Sequence, residues 1–173
     1  MAIQWNVTPH TRVEIGNSIA EDYGEHMVSL DISEETDGID NGRIVHVTKM
    51  TDLDLWEYED ASDELSAYIV MQHPVSKLWL MVVDSVKDDK LAFIYQKPLI
   101  AEESPRQLTN EENFYNVPED GPVRGYIMHA LDRYWISDNG FDGKPSKGAT
   151  ITSIRNGKPV VTAAPTPTPT PTA

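Results

Sequence analysis

The stretch "KLWLMVVDSVKDDKLAFIYQK", Lys77–Lys97, decides the fold class. In its first half Leu78, Leu80 and Val82 fall on one side of a period-two repeat, and Trp79, Met81 and Val83 on the other. Both sides are apolar, which is the pattern of a central strand covered on both faces. A second apolar run, Leu91–Tyr95, follows the polar strip Lys87–Lys90. Two strand-like runs around a short polar strip predict a hairpin.

Other runs of the same kind lie outward from this stretch. "TRVEI" and "EHMVSLDI" near the front are short strand candidates, with the acidic loop "NSIAEDYGE" between them. "GRIVHVTK" follows the turn cluster "TDGIDNG", and "SAYIVMQ" is a further strand. "DLDLWEYEDASDEL" reads as a helical turn or a loop, and "VRGYIMHAL" as a strand or a short helix. The connection "PLIAEESPRQLTNEENFYNVPEDGP" has room for one helical turn at "TNEENF", with Thr109 as its cap and Glu112 three residues on. "SDNGFDGKPSKG" is a glycine-rich loop. Near the end, "ATITSI" and "PVVTA" flank "RNGK". Asn-Gly between β-prone runs is the strongest short-range hairpin signal.

Helical periodicity is poor throughout. The expected fold class is all-β or β-rich, an antiparallel sandwich or barrel with little helix, with an extended N-terminal arm and a Pro-Thr tail. Three regions follow: 1–35 as an N-terminal arm or peripheral strands, 36–163 as a β-rich core domain, and 164–173 as the extended tail "APTPTPTPTA". Alternating proline removes amide donors and favours polyproline II. About eight such residues would reach roughly 25 Å.

The 173 residues suffice to bury one core without disulfides. The chain has no cysteine, so a disulfide, a thiolate zinc site and a cysteine nucleophile are excluded. The first residues carry neither the basic nor the apolar region of a secretory signal, and a chain made in a reducing compartment is expected. A net charge of −14 opposes contact with nucleic acid and with anionic lipid. No run reaches the length of a membrane span.

Motifs for chemistry are few. Ser137–Gly140 contains the Ser-Asp-Asn triplet of serine β-lactamases, without their Ser-x-x-Lys or Lys-Thr-Gly, and reads as a turn. The stretches around Asp37, Asp40 and Asp142 lack the ligand spacing of an EF-hand and read as turns, with an irregular calcium site left open. His10, His26, His46, His73 and His129 show no metal-ligand spacing. The acidic pairs Glu34/Glu35, Glu59/Asp60, Glu102/Glu103 and Glu111/Glu112 read as solvated faces. No catalytic, cofactor or metal residue is therefore nominated, and no enzyme is expected. Trp5, Val7 and Trp56 sit in polar surroundings and are candidates for partner contact, since tryptophan is enriched at interface hot spots. The simpler reading of both tryptophans is a local cover on a barrel end.

"DGIDNGRIVHVTK", "PVRGYIMHAL" followed by "YWISDNGFDG", and "KPSKGATITSIRNGKPVVTA" together resemble the capsid decoration, or head cement, proteins of tailed bacteriophages over roughly Asp37–Ala163. The resemblance implies a virion structural protein on the outer surface of a capsid, made in the host cytoplasm. Its implied partner is the major capsid protein, with a homo-oligomer, such as a trimer, a further possibility. In that setting Pro165, Pro167 and Pro169 would lie along a neighbouring subunit as an extended arm. The alternatives are a non-enzymatic glycan- or protein-binding β module and a small carboxylate-dependent hydrolase.

Overall fold

A computed structural model describes residues 10–19, 27–32, 38–51, 54–96, 115–116 and 121–162, with the side chains of 14–19 excepted. The fold is β-rich. Its strands are β1 (Val13–Ile19), β2 (Met27–Leu30), β3 (Ile39–Asp40), β4 (Ile44–Met50), β5 (Trp56–Asp60), β6 (Leu65–Gln72), β7 (Trp79–Val86), β8 (Leu91–Ile94), β9 (Tyr115–Asn116), β10 (Val123–Ile127), β11 (Arg133–Ile136), β12 (Thr150–Arg155) and β13 (Lys158–Thr162). A 3-10 turn at Asp138–Gly140 completes the regular structure among the described residues.

Six strands form an open sheet in the order β1-β11-β7-β6-β12-β13, five close into a barrel in the order β10-β2-β5-β4-β8, and β3 pairs with β9 in a small ribbon. Both architectures expected from the sequence, sandwich-like layer and barrel, are thus present in one chain. The front of the chain is woven into each of them. β1 is an edge strand of the sheet, and β2 is a barrel stave running parallel to β5.

The two layers share a core. Leu65, Ala67 and Ile69 of β6, Met81 and Val83 of β7, and Tyr134 and Ile136 of β11 meet Ile44 of β4 and Leu91 and Phe93 of β8 in one buried cluster. The Phe93 and Tyr134 rings stack at 4.2 Å across this boundary. A second cluster fills the barrel with Leu30, Val45, Val47, Ala92, Ile94 and Val123. Alternation explains both: in β4 and β8 successive residues point to the shared core and to the barrel interior. That is why "LAFI" is buried at every position.

The hairpin expected over Lys77–Lys97 does not form. β7 is central in the sheet between β6 and β11, whereas β8 belongs to the barrel between β4 and β10. The polar strip is a crossover between layers. Asp88 Oδ1 accepts a hydrogen bond from the Lys90 amide at 2.9 Å, an Asx turn with no positive φ among residues 87–90. A two-residue type I′ turn would have folded β8 back onto β7, but it needs positive φ at both central positions. "WEYED", expected as a helical turn or loop, is the strand β5, antiparallel to β4. "VRGYI" resolves as the strand β10. Asn17–Ile19, expected to open an acidic loop, belong to β1, and the rest of that stretch up to Glu25 lies outside the described residues.

The Asn-Gly hairpin forms as expected. β12 and β13 pair with Arg155 opposite Lys158, and Asn156 and Gly157 have φ of 47° and 69°. Its tip is stitched to the barrel: the Ile44 amide donates to Gly157 O at 2.8 Å, and the Gly157 amide to Ala61 O at 3.0 Å.

Candidate functional site

Two surface features stand apart from ordinary solvated structure. The first is an open polar notch of about 320 Å³, lined by His46, Glu59, Asp60, Ser62 and Asp63. His46 lies on β4 opposite Glu59 of β5. Its Nε2 is 2.9 Å from Asp88 Oδ2, while its Nδ1 is 3.7 Å from Glu59 Oε1, beyond hydrogen-bonding reach. Asp60 is paired with Arg43 at 2.9 Å. The Lys90 amide, and after it the His46 ring, hold Asp88 below the ordinary carboxylate value against the effect of burial. A general acid at neutral pH needs the opposite shift. Within the notch Asp60 is engaged by Arg43 and His46 Nε2 by Asp88, while His46 Nδ1 is buried without a hydrogen-bond partner.

The other acidic turns behave similarly. Asp40 bonds His10 Nδ1 at 2.7 Å, and Asp142 pairs with Arg155 at 3.2 Å. Among the described residues no group of three histidine or acidic side chains converges in the manner of a metal site. Asp37 lies outside the described residues.

The second feature is the outer face of the six-stranded sheet. Met81 and Val83 point into the shared core, so Leu80 and Val82 project to the opposite side. By the same alternation β6 turns Tyr68 and Val70 outward, and β11 turns out Arg133 and Trp135. A bulge between Ile69 and Met71 brings Met71 onto this face opposite Leu80. Two rows result: Tyr68 beside Val82 and Arg133, and Met71 beside Leu80 and Trp135. Tyr68 is 43% exposed and Met71 40%, while Val82 and Trp135 are buried. The His73 ring meets Trp135 edge-on at 5.5 Å. Asp84, accepting from Ser66 Oγ at 3.1 Å, bounds the patch at one end, and Arg133 flanks it. This is an apolar surface on a highly charged protein, and its aromatic and methionine content suits protein contact.

The sequence-based contact candidates fall elsewhere. Trp56 is half-buried on β5 and packs against the barrel cluster, so it covers the barrel. Trp5, Val7, Pro165, Pro167 and Pro169 lie outside the described residues, as does the helical turn expected at "TNEENF". Sequence reasoning misses Tyr68 and Met71, because "SAYIVMQ" shows a strand and not which of its faces stays open. The signal was the double-faced apolar character of β7, which promised cover on both sides. The shared core covers one side fully and the second is covered in part.

Comparison with protein-family models, with curated proteins and with solved structures returns no match.

Proposed function

We propose that this protein works by assembly: it binds another protein's surface and stabilises it, most specifically as a decoration protein on the exterior of a phage capsid with the major capsid protein as partner. The observation that carries this reading is the apolar outer face of the six-stranded sheet, with Tyr68 and Met71 open to solvent in a chain of net charge −14. Charge supports the location. An acidic body is repelled by packaged DNA and suits the outside of a shell. The two-layer β body with a shared core is a rigid unit to place on a surface. A small contact repeated over a lattice gains through avidity what one contact lacks.

Mass spectrometry of purified particles tests the proposal. The expected result is this chain in a fixed ratio to the capsid subunit. Particles free of it would end the capsid reading.

A further inference from the structure

Resting on that assembly reading, we infer that the outer face of the six-stranded sheet takes a partner protein whose contact strip is apolar and bordered by lysine and arginine, and that the occupant is not a second copy of this chain. Charge leads there.

The face comprises the side chains Tyr68, Val70, Met71, Leu80, Val82 and Trp135, contributed by three adjacent strands. A second copy at this face would bring together two bodies that each carry −14, and their repulsion opposes a dimer. A basic surface turns the same charge into attraction and steers the encounter. Asp84 stands exposed at the end of the apolar rows, placed to meet a cation on the partner. Arg133 faces Val82, in the row next to Asp84, and is the one basic side chain within the two rows. The pull on the partner's cations therefore comes from the acidic body as a whole, with Asp84 a carboxylate at the patch's edge. Anionic lipid and nucleic acid share this protein's sign of charge, which disfavours both.

The experiment uses the full chain and two synthetic amphipathic helical peptides, one of leucine and lysine and one of leucine and glutamate, with titration followed by calorimetry at two salt concentrations. The expected result is binding of the lysine peptide alone. Tyr68→Ser with Met71→Ser weakens it by about tenfold or more. Asp84→Asn weakens it by about two- to threefold and reduces its salt dependence. Tyr68 and Met71 are about two-fifths exposed, so their replacement spares the shared core. Met50→Ser is the matched control, since Met50 is 46% exposed on the barrel strand β4. Wild-type affinity in the Tyr68/Met71 variant overturns the inference, since it would mean attraction by charge alone, as does equal weakening by Met50→Ser, which would mean unspecific apolar contact. A dimer in sedimentation that the Tyr68/Met71 variant abolishes also overturns it, by making the occupant a second copy. Particle analysis and peptide binding fail separately: absence from particles removes the capsid and leaves the face, whereas indifference to Tyr68 and Met71 removes the face and leaves the capsid.

Discussion

Gly157 does two jobs at one position. Its φ of 69° is a region where an L side chain is strained, and a Cβ there would stand 3.0 Å from Ile44 O and 2.9 Å from Asp60 Oδ1. The tight approach follows from its hydrogen bonds to β4 and to Ala61, which join the Asn-Gly tip to the barrel. Gly157→Ala is expected to cost about 2 kcal/mol or more, read from the urea midpoint, from the left-handed conformation and the backbone contact together. Tyr58 makes a second residue-level prediction. Burial first, then the charges of Asp60 and Asp31, push its phenol up to about 12. The folded state therefore keeps that proton more firmly than the unfolded chain. Its contribution to stability is complete below about pH 10 and is lost as pH rises towards about 12. Tyr134, buried and bonded to Asp132, moves in the same direction. Tyr58→Phe should make the alkaline fall in stability shallower, and an unchanged slope in thermal melts from about pH 9 to about pH 12 would contradict this.

At the scale of elements, β8 and the crossover before it show why local reading succeeds in one place and fails in another. The β12–β13 hairpin was legible because Asn-Gly accepts positive φ, a property of two adjacent residues. The β7–β8 pair was not legible. Both runs are good strands, and the polar strip between them suits a turn or a crossover equally. The choice is made by Leu91 and Phe93, which fill the shared core, and by Ala92 and Ile94, which fill the barrel. Phe93→Ala should cost about 3–5 kcal/mol, because the ring is fully buried and stacked on Tyr134. The crossover itself makes an acid-side prediction. Asp88 is held below its ordinary value, so its stabilising contribution is present above about pH 4 and is lost as pH falls through the lowered value. Asp88→Asn should lower the melting temperature near neutrality and bring the two proteins' curves together in strong acid. A constant difference at every pH would show that the Asx turn is indifferent to the charge.

At the scale of the molecule, the sheet and the barrel share one cluster and are tied by the Asn-Gly tip, so they should unfold together. Trp79 and Trp135 report on the sheet, and Trp56 on the barrel. Urea transitions followed by fluorescence in wild type and in Trp56→Phe, and by far-ultraviolet circular dichroism, should share one midpoint. Separate midpoints would mean that the shared core does not couple the two layers. The candidate contact face belongs to this scale as well. Tyr68 and Met71 were in view as members of a strand. Their meaning appeared only when β7 and β11 were placed beside them.

By itself the sequence determined that the chain is β-rich, that β7 is a central strand, and that Asn156 and Gly157 turn a hairpin. Period-two patterning and positive φ are local properties and are written in neighbouring residues. Tertiary structure alone decided which strands close the barrel and which build the open sheet, where "LAFI" goes, and which apolar face stays partly open. An apolar side chain needs cover but does not specify what covers it. Strand partners are chosen by long-range packing among all the buried faces at once.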